Sequence, residues 1–197
     1  MHQQDPATGR RAAPARLRML ESARRLFAEQ GPAATGVLQV LAEAEAPRGS
    51  LYHHFPAGKG QLVAEALTLA AAETTERLRA LLADATDDVE ALRRYGQELA
   101  VTLESSGWRL GCPVSTATLE LAAQEPGVRE ICAAAYRDWA GLLAERFART
   151  RPATEAGRLA TAVVAGLEGA LLMARAEQSA QPIFDTVGVL GSLLRPA

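Results

Sequence analysis

Apolar residues recur at three- and four-residue steps along nearly the whole chain, and no alternating run of β-branched residues is long enough for a strand. The pattern predicts an all-α protein. A first helix over residues 15–30 carries Leu20, Ala23 and Phe27 on one stripe, with Arg16, Arg24 and Arg25 mostly off it, and Gly31-Pro32 ends it. A short second helix follows Thr35, an N-cap residue type, and presents Leu38, Leu41 and Ala42. After a break at 44–46, Pro47 opens a third helix that Pro56 stops. A long helix from Lys59 carries Leu62, Val63, Ala66, Leu67, Ala70 and Leu78 toward Leu82. Beyond Asp87 the periodicity predicts a helix bearing Leu92, Tyr95, Leu99 and Leu103, a short one over 115–124, and a long one bearing Val128, Ile131, Ala135, Trp139 and Leu142. A last pair spans 154–177 and 182–194. The first dozen residues are polar and expected to fray.

Composition narrows the class. The 197 residues are 48% hydrophobic and 22% charged, which suits a globular chain with a sizeable core. Two cysteines are too few for a disulfide framework, and the N-terminus lacks the apolar core of a signal peptide, so a reducing cytoplasm is expected. The most apolar run, 159–174, is broken by Glu168 and falls short of the roughly 20 residues of a membrane span. It reads as a buried helix. Net charge is −2, but residues 1–60 carry 8 basic against 5 acidic side chains (+3) and the rest 13 against 18 (−5). A basic head on an acidic body points to a polyanion at one end.

Three short helices, the last two joined by a tight turn, make a helix-turn-helix when the third is anchored on one side and presented on the other. The stretch APRGSLYHHF, residues 46–55, meets that demand. Leu51 and Phe55 lie four apart and share the core face, leaving Arg48, Ser50, Tyr52 and His53 to project elsewhere. Gly49 allows close backbone approach to another surface. Arg48 suits guanine, and Ser50 or Tyr52 suits phosphate or base edges. The adjacent His53 and His54 point about 100° apart on a helix and have no third ligand at metal spacing, so no metal is expected and His54 packs or hydrogen-bonds behind the helix.

LESARRLFAEQG followed by GSLYHHFPAGKGQLVAEAL resembles the N-terminal DNA-binding domain of TetR-family transcriptional regulators, over about 50 residues. PRGSLYHHFPAGK with the downstream GCPVSTATLELA is similar to the LmrA/YxaF-like subgroup of that family. The resemblance implies a helix-turn-helix head over 1–60 and an effector-binding, dimerising body over 61–197. It assigns Thr35 and Lys59 to phosphate, and Arg48, Gly49, Ser50, Tyr52 and His53 to DNA. Lys59 is the chain's single lysine, a compact charge suited to a point contact. Glu45 stands where the family has a turn glycine, and Pro47 where it has Ser or Thr. A non-glycine residue at positive φ is disfavoured.

The resemblance also implies dimerisation through the last two long helices and a small effector between the middle ones. Leu159, Val163, Gly166, Ala170, Ile183, Val187, Leu190 and Leu194 are the expected interface, giving a two-fold dimer on a pseudo-palindromic operator. Tyr95, Leu99, Trp108, Cys112, Tyr136, Trp139 and Met173 are the expected cavity, with Glu120 and Glu168 as polar anchors, Glu168 fitting equally at the edge of the dimer interface. Such a pocket suits a hydrophobic effector, and the long helix from Lys59 is the expected lever. No cofactor is expected. An enzyme using Cys112 with His53 or His54 finds no glycine-rich phosphate loop, metal signature or nucleophile elbow. An adaptor that only dimerises leaves the charge asymmetry and APRGSLYHHF unexplained.

Overall fold

The computed structural model describes residues 14–195; the first dozen, expected to fray, lie outside the described residues. Described residues form helices joined by turns and no strand: α1 (Ala15–Ala34), α2 (Val37–Glu43), α3 (Ser50–His54), α4 (Lys59–Asp84), α5 (Asp88–Ser105), α6 (Pro113–Leu121), α7 (Pro126–Phe147), α8 (Ala153–Glu177) and α9 (Gln181–Leu194). The expected helices are all present. Their ends follow local chemistry. Gly31, at φ 83° and ψ 157°, takes the chain out of helical geometry ahead of Pro32, and one further turn closes α1. Asp87 caps α5 by accepting the Glu90 N–H at 2.7 Å, while Thr86 donates both its N–H and its hydroxyl to the Glu90 carboxylate. Those bonds hold the Glu90 carboxyl down at about 2.

The third helix is shorter than expected. Pro47 precedes it by three residues and accepts the Ser50 N–H at 3.0 Å in a lead-in turn, with Gly49 at the N-cap. The turn before it has the strain anticipated for Glu45, whose φ is 50°. Its geometry ends α2 through Ala46 N–H to Leu41 O and Glu45 N–H to Ala42 O, and Arg18 of α1 donates to Ala44 O at 2.8 Å.

One core joins Met19, Leu20, Ala23, Leu26 and Phe27 of α1 to Val40, Leu41, Leu51 and Phe55, and to Leu62, Val63, Ala66 and Leu67 of α4. It continues without a break into Val114 and Ala117 of α6 and Cys132, Ala135 and Trp139 of α7. A second cluster packs α5, α8 and α9 around Leu92, Leu103, Val163, Ala170 and Ile183. Leu38 departs from the expected α2 stripe, since it is 62% exposed while Val40 and Leu41 hold the core. Helix α8 is longer than the apolar run suggested, 25 residues, and its length and mean hydropathy of 1.5 would suit a membrane span. Its buried side packs into the second cluster, the arrangement of a core helix.

Candidate functional site

The head presents a row of side chains that its core does not use. Leu51 and Phe55 are buried, and the Arg16 guanidinium lies 5.1 Å above the Phe55 ring while pairing with Glu65 of α4. Anchored on that side, α3 turns Tyr52 and His53 outward, with Tyr52 70% exposed. Arg48, Gly49 and Lys59 are exposed around it, and a Cβ on Gly49 would meet nothing within 4 Å. Ser50 is half-buried, its hydroxyl donating to Pro47 O at 2.7 Å. Six of the seven expected DNA-facing residues therefore share one end of the head or border it. Thr35 does not, because it is 1% exposed and its hydroxyl donates to Gly31 O at 2.6 Å. That hydroxyl holds the close of α1 and is not available to phosphate; Gly36 caps α2 instead.

Gly58, which drew no notice in the sequence, shapes this surface. Its φ of 72° opens α4 behind Lys59, and a Cβ there would stand 3.3 Å from the Tyr52 ring. The His53 and His54 rings meet edge to face at 4.8 Å, and among the described residues no group of three His, Cys, Asp or Glu gathers for a metal.

A cavity of about 320 Å³ lies between α1, α4, α5, α7, α8 and the segment leading into α6, with Arg24, Arg25 and Ala28 contributed by α1. Tyr95, Leu99, Cys112, Trp139 and Glu168 of the expected set line it, among Leu78, Leu92, Leu143 and Leu167. Glu168 thus lines the cavity wall. The other expected residues separate. Tyr136 stands behind the wall, its hydroxyl 2.8 Å from the Ser115 hydroxyl, which in turn donates to Glu168. Trp108, at φ 64° beyond the end of α5, packs against the second cluster. Met173 is 55% exposed on the outer face of α8. Glu120 lies away from the cavity and accepts the Ala33 N–H at 2.8 Å.

Electrostatics at the inner wall are set by burial. Desolvation raises the Glu168 carboxyl above its ordinary range, opposed by hydrogen bonds from Ser115 and Cys112. Burial and the neighbouring Glu168 push both the Cys112 thiol and the Tyr95 hydroxyl upward. Tyr136 is pushed up to about 12, again chiefly by burial. A thiol held protonated in this way is a poor nucleophile. Ser115, in the first turn of α6 and three positions after Cys112, joins this wall with only its place at the start of an apolar helix to signal it in the sequence.

The expected dimer residues are spent within one protomer. Val163, Ala170, Ile183, Val187, Leu190 and Leu194 are buried in the second cluster. Leu159 is half-buried against it, and a Cβ on Gly166 would already stand 3.1 Å from Leu190. The opposite faces of α8 and α9 are the open ones, bearing Leu172, Met173, Phe184, Val189 and Leu193.

Residues 19–66 match the family model of bacterial regulatory proteins of the tetR family, and residues 88–188 match that of the LmrA/YxaF-like transcriptional regulator C-terminal domain. The chain is 32% identical over 185 residues to the HTH-type transcriptional regulator LmrA of Bacillus subtilis (strain 168), covering 91% of this chain and 96% of that protein. It is 30% identical over 169 residues to the uncharacterized HTH-type transcriptional regulator YxaF of the same organism, covering 85% and 88%. Among solved structures, the regulatory protein TetR from Rhodobacter sphaeroides shares the fold at a TM-score of 0.83 and 22% identity, over 91% of this chain and 98% of that one.

Proposed function

The chain belongs to the TetR family of bacterial transcriptional regulators, within its LmrA/YxaF-like group, and from that premise we propose that it is a homodimeric repressor released from its operator by a small, mainly apolar effector. The observation that carries this reading is the connection of two unlike surfaces by one helix. Lys59, exposed beside the presented face of α3, begins α4, and Leu78, Leu81 and Leu82 near its far end line the cavity. A basic head suits a polyanion, and an apolar cavity suits a small molecule.

In this reading Arg48 reads base edges, Gly49 lets the backbone approach, and Ser50, Tyr52, His53 and Lys59 contact phosphate or bases. The head comprises residues 1–60 and the body 61–197, with α4 crossing between them. The effector sits among Tyr95, Leu99, Cys112, Trp139 and Glu168, and directs a hydrogen-bond donor or positive end to the Glu168 carboxylate. Two protomers meet through the open faces of α8 and α9, whose exposed apolar residues need cover. A two-fold dimer sets two α3 helices on a pseudo-palindrome, and an effector preferring a different spacing of the heads lowers DNA affinity. DNA binding places the protein's work in the cytoplasm.

Retention of DNA from the protein's own upstream region in a salt-dependent mobility shift tests the proposal. Specific retention by a folded dimer is expected. A folded dimer that retains no genomic fragment above background overturns it.

A further inference from the structure

The helical ladder of α1 is cut at its C-terminal end, and the body fills the gap. Ala28 O has no helical donor four residues on, because that position is Pro32, which lacks an N–H. Gly111 donates its N–H to Ala28 O at 2.9 Å, and Arg175 of α8 donates to it at 3.5 Å. The next rung carries a body charge at each end: Arg175 donates to Glu29 O, and Glu120 of α6 accepts the Ala33 N–H at 2.8 Å. Both contacts are charge-assisted. The fit is closest on the Gly31 side of the seam. A Cβ on Gly31, itself at φ 83°, would strike the Glu120 carboxylate, and one on Gly111 would stand 3.3 Å from the Arg175 guanidinium and 3.5 Å from Ala28 O.

The same segment forms the cavity wall. Leu110, Gly111, Cys112 and Pro113 line it, as does Ala28 from the head side. A cavity occupant that displaces this wall pulls directly on the backbone of α1, with no need to move the length of α4.

We propose that Gly111, Glu120 and Arg175 form a latch that couples cavity occupancy to the DNA-reading head through the severed end of α1. The latch rests on the effector reading of the cavity and gives its route of regulation. Arg175 and Glu120 are positioning residues: they touch neither DNA nor the cavity's contents and act by holding α1. A cavity that loses its wall contact to α1 binds its occupant unchanged yet no longer informs the head.

Hydrogen exchange on the full-length protein tests this in two arms. Without ligand, Arg175→Ala, which removes both guanidinium bonds to α1, is expected to speed exchange over residues 28–36 and 107–113 together by at least about tenfold, and Glu120→Gln, which keeps an acceptor but loses its charge, by less, while α9 stays unchanged. Arg175→Lys restores part of the protection. With the neutral fluorophore N-phenyl-1-naphthylamine in the cavity, exchange over 28–36 changes in the wild type. In Arg175→Ala the dye binds within about threefold of wild type but that response disappears. Unchanged ligand-free exchange in both segments, or a head response that survives in the variants, overturns the latch. If the wild type binds no dye, the effector reading of the cavity fails and the coupling falls with it, whereas dye binding with an unaltered head in the wild type overturns the latch alone.

Discussion

The Ser115 hydroxyl donates to the Glu168 carboxylate and so ties α6 to α8 at the cavity wall. Burial raises the folded pKa of Glu168, and hydrogen bonds from Ser115 and Cys112 only partly oppose it. A raised folded pKa favours the protonated form in the fold, so this group's contribution is full below the unfolded value of about 4.3 and is lost as pH rises through the folded value. Glu168→Gln is therefore expected to be more stable than wild type at neutral pH, with the gap closing on acidification toward about pH 4. Urea midpoints of both proteins across that range check it. A gap that widens on acidification would show the opposite shift.

On DNA, Arg48→Ala is expected to cost about 1–3 kcal/mol on the preferred sequence and to relax preference at one base pair. Lys59→Ala and Tyr52→Ala weaken binding to all sequences, and Lys59→Ala lowers the slope of log affinity against log salt by about one per head. Competition titrations at several salt concentrations separate the two behaviours. Thr35→Val, by contrast, loses the buried hydrogen bond to Gly31 O and lowers stability by about 1 kcal/mol, with the salt slope unchanged.

Glu45 occupies the left-handed region at φ 50°. Comparing Glu45→Gly with Glu45→Ala removes the side chain from both and isolates the backbone term. The glycine variant is expected to be the more stable by roughly 1 kcal/mol, the left-handed penalty of alanine less glycine's extra chain entropy. Thermal or urea unfolding of the pair measures it, and equal stability would mean the turn relaxes.

Leu172→Arg and Val189→Arg place charge on the open faces of α8 and α9. Self-association should weaken at least about a hundredfold, roughly 3 kcal/mol, with helical content intact. Ile183→Arg, in the buried cluster, should unfold the protomer. Sedimentation velocity and circular dichroism together distinguish these outcomes, and a Val189→Arg protein that stays fully dimeric would place the interface elsewhere.

Local spacing was enough for much of this protein. The helices, the break at Gly31-Pro32 and the pairing of Leu51 with Phe55 under a presented Tyr52 all follow from residues within a few positions of one another, whereas the left-handed turn at Glu45 was legible only through the family resemblance. Tertiary structure decided what depends on distant partners. Helices α8 and α9 carry apolar residues on two faces, so periodicity alone did not tell Val163 and Ile183, covered by the protomer's own core, from Leu172 and Val189, left open. Glu120 and Glu168 are both acids set among apolar helical residues, yet packing sends one to the cut end of α1 and the other to the cavity. Thr35 has the residue type of an N-cap, but the reversal at Gly31 turned its hydroxyl inward. Periodicity records which residues share a face; what that face meets is set by the rest of the chain.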